Sequence, residues 1–250
     1  MTRRLLILGG TADAAALARA AVARFGDALA VTTSLAGRIP PSQKLAGDVR
    51  IGGFGGADGI VGYLGDNGTD LVVDATHPFA AEISRHAEAA CTRTGIPRLM
   101  LIRPPWQPKP GDEWIEVDGL DGAAAALLGI AQRAFLTIGP RGIGAFSGVR
   151  DVWFLVRTFE QPAEPLPLAD HAVVVARPPF TVDGEVALLT EHRIDTLVSK
   201  QSGGPTDAKL AAARAVGARV VMVRRPEPPA GESVETVEAV LDWIAERISV

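Results

Sequence analysis

The chain has 250 residues, enough for one large domain or two small ones with buried cores. Hydrophobic residues make up 47% of it, but no charge-free apolar run reaches the roughly 18 to 20 residues that a membrane span needs. The net charge of −4 disfavours nucleic acid as the main partner, and the single cysteine excludes an intramolecular disulfide and a thiolate metal cluster.

The N-terminal residues Met1 to Arg4 lead directly into a short apolar run. This run is too short for a signal peptide, and no small-residue cleavage site follows it. We therefore expect a cytoplasmic protein that has no membrane partner.

The first half of the chain alternates β-rich runs with helical patterns. The predicted strands are residues 5–8, 29–33, 49–51, 71–74 and 99–102. The predicted helices are residues 12–24, 56–64 and 78–94. Such alternation indicates βαβ units with right-handed crossovers and a parallel sheet.

A proline-rich segment, "RPPWQPKPGDEW", separates the two halves. Proline cannot donate a hydrogen bond to a strand ladder, and it restricts the residue that precedes it. This segment predicts a linker, with a domain boundary near residue 104.

The second half repeats the alternation. Its predicted strands are residues 114–117, 134–138, 152–157, 172–176, 196–199 and 219–223. Its predicted helices are residues 120–132, 182–192, 206–216 and 234–248. We predict an α/β fold of two doubly wound Rossmann-like domains, residues 1–103 and 104–250, with mostly parallel sheets and a cleft between them. The last helix is left free to pack back on the first domain.

The first predicted strand runs into Gly9, Gly10 and Thr11, and Ala12 opens the following helix. The missing side chains let a phosphate approach the backbone, while the Thr11 hydroxyl and the helix N-terminus supply donors. The spacing is not G-x-G-x-x-G, so a tight turn that needs glycine only for its geometry is the alternative.

The second predicted strand ends in Thr33 and Ser34, followed by Gly37 and Arg38, without a carboxylate. Sites for NAD commonly place an acid here to accept from the ribose 2′-hydroxyl. Hydroxyls with a guanidinium suit a 2′-phosphate instead, which predicts NADPH as the cofactor. The alternative is a polar loop with a solvated arginine.

The fourth predicted strand ends in "DATHPFA", which places Thr76, His77 and Pro78 where a nicotinamide is expected. His77 is the candidate catalytic residue, because it could orient the ring, bind a substrate carboxylate or supply a proton. Pro78 suits the first position of a helix, and a simple helix-entry role for His77 is the alternative.

Two further loops carry cations and glycines at predicted strand ends. Ser202 and the glycine pair after it form a candidate anion nest, to which lysines add charge. The turn after residues 134–138 aims an arginine at the same edge. These features predict a polyanionic substrate in the second domain, although two tight turns with solvated bases would look similar. The candidate substrate-binding residues are Arg141, Lys200, Ser202, Gly203, Gly204 and Lys209.

Seven stretches, spread in order over almost the whole chain, resemble the precorrin-6A reductase family of corrin (cobalamin) biosynthesis. They are "LGGTADAAALA", "TTSLAGR", "VRIGGFGGADG", "DLVVDATHPFAAEIS", "RPPW", "FLTIG" and "LVSKQSGGPTDAKLAAAR". The combination of "DATHPFA" with "VSKQSGG" is the most specific. Asp13, Gln201 and Pro140-Arg141 depart from the family's commoner glutamate, asparagine and arginine directly after the glycine.

The resemblance implies a two-domain α/β enzyme that uses NADPH to reduce one double bond of the macrocyclic tetrapyrrole precorrin-6A, giving precorrin-6B. The many carboxylates of this macrocycle agree with the polyanion site predicted from the residues. Residues 1–103 would then bind NADPH and residues 104–250 the tetrapyrrole. No nucleic acid, membrane or metal ligand is implied, and transient contact with neighbouring pathway enzymes is compatible with the pattern.

Three alternatives remain open from the sequence. The substrate could be cobalt-precorrin-6A, or the chain could be an NADP-dependent reductase of another anionic small molecule. A non-enzymatic protein that closes on an anionic ligand is the third. The proton donor and the oligomeric state are equally open.

Overall fold

A computed structural model describes residues 2–36 and 45–248. The chain divides into two compact units: residues up to Pro104 together with those from Pro226 onward, and Pro105–Arg225. The predicted second domain ran from residue 104 to 250 with its last helix left free. In the structure that helix, and a short strand before it, lie in the first unit.

The described residues form twelve strands and seven α-helices. In chain order they are β1 (Arg3–Leu8), α1 (Ala12–Phe25), β2 (Leu29–Leu35), β3 (Asp48–Ile51), α2 (Gly56–Asp66), β4 (Leu71–Asp74), α3 (Ala81–Thr94), β5 (Arg98–Leu101), β6 (Trp114–Val117), α4 (Gly119–Leu127), β7 (Arg133–Leu136), β8 (Trp153–Thr158), β9 (His171–Val175), α5 (Val182–Glu191), β10 (Thr196–Lys200), α6 (Ala208–Val216), β11 (Arg219–Val223), β12 (Glu232–Val234) and α7 (Val237–Ile248). Short 3-10 helices span Gly26–Ala28 and Pro140–Phe146.

The first unit is built on a parallel sheet in the order β12-β5-β4-β1-β2-β3. Strand β1 is apolar on both faces, since Leu5 and Ile7 pack in one core with α1 and α7 while Leu6 and Leu8 pack in a second core with α2 and α3. A strand that is buried on both faces reads as a continuous apolar run, as β1 does in the sequence.

The strand order of the first sheet reverses at β1. The chain moves outward from β1 through β2 to β3, and then returns to the other side of β1 with β4 and β5. The carboxyl ends of β1 and β4 therefore border the topological switch point, where doubly wound sheets bind their ligands.

The second unit carries another parallel sheet, in the order β6-β11-β10-β7-β8-β9. Its core packs Phe135, Leu197 and Met222 against side chains of α5 and α6. Strand β7 has the place in this sheet that β1 has in the first sheet. The edge strand next to β11 is β6, which precedes β7 in the chain. The corresponding edge strand of the first sheet, next to β5, is β12, which follows all other strands of its unit. The switch point of this sheet lies between β7 and β10.

The predicted fold class, two doubly wound α/β units with parallel sheets, is confirmed. Three local predictions were wrong. The helix predicted over residues 120–132 ends at Leu127, because residues 128–130 form a turn. Helix α3 begins at Ala81 and not at Pro78, because residues 77–80 form a turn closed by a 2.7 Å hydrogen bond from Ala80 N to His77 O. Strand β12 was not predicted, and its last residue, Val234, was assigned to the last helix although it pairs with β5.

Candidate functional site

The turn after β1 has the shape of a phosphate cradle. Gly10 has φ +102°, a conformation that disfavours L side chains, and a Cβ atom there would meet no atom of the described residues within 4 Å. A Cβ atom on Gly9 would lie 2.8 Å from Cγ2 of Thr33. Space is therefore filled behind Gly9 and open beside Gly10, which fits a pyrophosphate approaching the backbone.

Thr11 caps helix α1 instead of offering its hydroxyl to a ligand. Its Oγ1 accepts from Ala14 N at 3.1 Å and donates to Ala75 O at 2.7 Å, which ties the turn to the end of β4. The hydroxyl hydrogen is therefore committed within the protein. The donors that the first turn of α1 leaves for an anion are the backbone N–H groups of Thr11, Ala12 and Asp13.

The carboxylate of Asp13 also lies in the first turn of α1, where it would repel a phosphate. Arg103 neutralises it, since Nε of Arg103 lies 3.3 Å from Asp13 Oδ2. Sequence reasoning did not identify Arg103. The sequence did carry a signal for this residue, because Arg103 comes just after β5. The carboxyl end of β5 lies on the same edge of the sheet as that of β1.

At the end of β2, Thr33 is fully buried and lies against Gly9, so its role is packing. Its hydroxyl has no hydrogen-bond partner within the described residues. Ser34 is buried as well, and its Oγ accepts from Nη1 of Arg50 at 3.2 Å. The predicted contacts Gly37 and Arg38 lie outside the described residues.

Arg50 is a cation at this site that the sequence prediction missed. It lies opposite Ser34 in the register of β2 and β3. Its guanidinium donates to the carbonyls of Gly52 and Gly53 at 2.5 and 2.8 Å and stacks on the Phe54 ring at 3.8 Å. Because arginine only donates, Ser34 Oγ is the acceptor, and the Ser34 hydroxyl hydrogen can turn towards an anion.

The end of β4 is fixed by Asp74, whose Oδ1 accepts from Thr76 N at 3.1 Å and from Thr76 Oγ1 at 2.7 Å. His77 follows, and its Nδ1 accepts from Phe79 N at 3.2 Å. This bond places the proton of the neutral imidazole on Nε2. Pro78 lies within the turn that follows and does not start the helix.

In the second unit, β10 leads into a tight turn. Ser202 donates to Lys200 O through its N–H at 2.7 Å and through its hydroxyl at 3.2 Å. Gly203 and Gly204 follow with φ +66° and +75°. Successive residues of this kind can present N–H groups to an anion. Burial lowers the pKa of Lys200.

Arg141 lies after β7, the strand next to β10, near the start of the 3-10 helix. It is exposed and forms no ion pair with any residue that the structure describes. The structure thus places Lys200 at the end of β10 and Arg141 after the neighbouring β7, on one edge of the second sheet.

Lys209 lies in the first turn of α6 and is turned towards Trp106. Its Nζ lies 3.3 Å from Thr206 O and 4.7 Å from the centre of the Trp106 ring. The pKa of Lys209 is lowered to about 8, mainly by burial and in smaller part by the nearby Arg157 guanidinium, while Glu185 and Asp207 oppose the shift. Trp106, a third residue that sequence reasoning missed, is thus part of this region.

Over residues 2–36 and 45–248, no group of three or more histidine, cysteine, aspartate or glutamate side chains is arranged to hold a metal ion. None of the helices in those ranges is both long and apolar enough to cross a membrane.

Comparison with known proteins gives matches over almost the whole chain. The model of the family described as precorrin-6x reductase CbiJ/CobK matches residues 4–245. A precorrin-6A reductase of Rhodococcus erythropolis is 49% identical over 243 residues, which is 96% of this chain and 97% of the relative. A cobalt-precorrin-6A reductase of Priestia megaterium is 28% identical over 248 residues, 95% of this chain and 96% of the relative.

A solved structure, that of the CobK precorrin-6A reductase, superposes with a TM-score of 0.92 at 42% sequence identity. The superposition covers 99% of this chain and 97% of that one. The arrangement of both sheets is therefore shared with a protein of this description.

Proposed function

This chain belongs to the precorrin-6x reductase family, and from that membership we propose that it reduces precorrin-6A, with NADPH as the hydride donor, in cobalamin biosynthesis. The match of the family model to residues 4–245 carries the proposal. Reduction of a carbon–carbon double bond in the macrocycle implies a nicotinamide cofactor.

The first unit would hold the cofactor at the switch point of its sheet. Gly10 and the N–H groups of Thr11 and Ala12 would contact the pyrophosphate, because the cradle is open beside Gly10 and α1 begins there. Asp13 would not oppose this binding, since Arg103 pairs with it.

The preference for NADPH over NADH rests on residues at the end of β2 and just after it. Ser34, oriented by Arg50, and Arg38 would contact the 2′-phosphate, and a guanidinium binds a phosphate more strongly than a ribose hydroxyl. In the described residues around Ser34, Arg50 supplies positive charge where NAD enzymes commonly have a carboxylate.

A nicotinamide cofactor held here would supply the hydride for one carbon of the double bond, and a proton would be added to the neighbouring carbon. His77, held by its Nδ1 bond to Phe79 N, presents Nε2–H as a donor in one orientation. We assign His77 to orientation of the reacting groups, together with Thr76 and Pro78 in the same segment. Alignment in the site would then supply most of the rate.

The second unit would bind the carboxylates of the macrocycle. Lys200 and Arg141 supply charge at the carboxyl ends of neighbouring strands, while Ser202, Gly203 and Gly204 supply polar backbone and hydroxyl groups. We propose the metal-free macrocycle as the substrate, because the relative named for precorrin-6A is 49% identical and the one named for the cobalt form is 28% identical.

The decisive experiment follows NADPH oxidation and the tetrapyrrole spectrum together. Precorrin-6A should be reduced with one NADPH consumed per macrocycle, and cobalt-precorrin-6A should turn over more slowly. Faster turnover of the cobalt form would reverse the substrate assignment. Binding of either macrocycle without NADPH oxidation would overturn the proposed reaction.

A further inference from the structure

Trp106 contacts the glycine turn of the second unit from outside that turn. Its indole Nε1 donates to Gly204 O at 2.8 Å. The next residue is Pro205, which has no N–H group. Within the described part of this unit, neither Gly203 nor Gly204 donates its N–H to another backbone carbonyl. The turn is therefore shaped by contacts from other segments more than by bonds of its own glycines.

Gln201 holds the backbone of Trp106 through two hydrogen bonds. Its buried side-chain amide accepts from Trp106 N at 2.9 Å and donates to Trp106 O at 3.0 Å. The Gln201 backbone is held as well, since its N–H donates to Val223 O at 2.9 Å and its carbonyl accepts from Arg225 Nε at 2.7 Å. Lys209 Nζ lies over the indole face, 4.7 Å from the ring centre, so both the backbone and the ring of Trp106 have contacts within this unit.

These contacts join two motifs that are far apart in the sequence, "RPPW" and "VSKQSGG". A glycine pair has wide conformational freedom, so a turn made from it binds an anion well only if neighbouring groups hold its shape beforehand. The indole N–H on Gly204 O supplies such a restraint.

We infer that Trp106 and Gln201 are positioning residues for the substrate, which hold the turn Ser202–Gly204 in the form that accepts a carboxylate of the macrocycle. The inference rests on the proposed assignment of this turn to the substrate. Neither side chain needs to touch the reacting atoms. Their effect should therefore appear in KM for the macrocycle and not in kcat.

The test is Trp106→Phe, which keeps an aromatic ring under Lys209 and removes the indole N–H. Loss of one neutral hydrogen bond corresponds to a rise in KM for precorrin-6A of about 3- to 10-fold. Both kcat and the Kd for NADPH should stay within about twofold of the parent values. Gln201→Leu, which removes both bonds to the Trp106 backbone, should act in the same direction.

A matched control is Trp114→Phe in the same unit. The Trp114 Nε1 is buried and has no hydrogen-bond partner in the described residues, so its removal should leave KM unchanged. Melting curves of both variants separate folding from binding. If Trp106→Phe lowers the melting temperature but leaves KM unchanged, the indole N–H serves the fold alone and the inference is overturned.

Lys200→Ala separates this inference from the proposed function. If Lys200→Ala raises KM while Trp106→Phe does not, the turn binds substrate but needs no positioning by Trp106. If neither variant raises KM, the substrate does not use this turn, and the substrate assignment and the inference both fail. A rise in KM for both variants, with Trp114→Phe unchanged, supports both.

Discussion

At the scale of single residues, the proposed preference for NADPH depends on a contact between Arg38 and the 2′-phosphate. Arg38→Ala should raise the Kd for NADPH by about one to two decades, because loss of a charge-assisted contact costs about 1.5–3 kcal/mol of binding free energy. The Kd for NADH should hardly change, since NADH lacks the 2′-phosphate. Calorimetric titration with both cofactors measures the difference.

Arg103→Ala is the contrasting variant in the same unit. It leaves Asp13 without its partner at the start of α1, where a pyrophosphate would bind. NADPH and NADH should therefore lose affinity by similar factors. Equal losses in Arg38→Ala would instead show that Arg38 does not contact the 2′-phosphate.

The lowered pKa of Lys209 predicts a pH dependence of substrate affinity. With a pKa of about 8, Lys209 is charged below that pH and becomes neutral above it. KM for the polyanionic substrate should accordingly rise between pH 7 and 9, as attraction to the carboxylates is lost. Lys209→Met should raise KM at pH 7 and flatten this rise, whereas Lys109→Met, a change at an exposed lysine, should keep the parent profile.

At the scale of elements, two helices start with the same cap. Thr11 Oγ1 accepts from Ala14 N at α1, and Thr181 Oγ1 accepts from Gly184 N at α5. Thr11→Val and Thr181→Val should each reduce the free energy of unfolding by about 1 kcal/mol. Only Thr11→Val should lower the affinity for NADPH, because only α1 begins at the proposed pyrophosphate site. Equal NADPH affinity in the two variants would contradict that assignment.

The elements also show what the sequence could predict. Strands at residues 71–74, 114–117 and 219–223 have the predicted bounds. Residues 71–74 and 219–223 are largely buried inside their sheets, and a strand buried in a parallel sheet is a continuous apolar run between polar turns. Strand β12 escaped prediction because only three residues pair, two of them exposed, directly before a strongly periodic helix.

The sequence could indicate candidate site residues in outline, because glycines and cations at strand ends carry a local signal. Arg50 and Trp106 were missed because each forms a hydrogen bond with a residue that only the tertiary structure brings close, through strand register for Arg50 and through a distant loop for Trp106. Ser34 lies opposite Arg50 across two strands, and Trp106 meets Gln201 across 95 positions of sequence. Such contacts depend on tertiary structure, which a single sequence does not display.

At the scale of the whole molecule, the order β5-β4-β1-β2-β3 in the first sheet matches the order β11-β10-β7-β8-β9 in the second. The two sheets differ in the chain position of the sixth strand, which lies beside β5 or β11. In the first unit it is β12, which reaches the sheet after the chain has completed the second unit, and α7 follows it into the core with Val240 and Ile244. The first unit, which we assign to NADPH, thus depends on the last residues of the chain for its stability.

Ile244→Ala tests this dependence. Ile244 is fully buried in the core with α1 and β1, so the change should cost about 2–5 kcal/mol. Hydrogen exchange resolved by peptide should become faster in β1 and β4 and stay unchanged in β7 and β10. Leu189→Ala, at a buried position of α5 in the second unit, should give the reverse pattern at a similar cost. If Ile244→Ala accelerated exchange equally in both sheets, the two units would unfold together, and the last helix could not be assigned to the stability of the first alone.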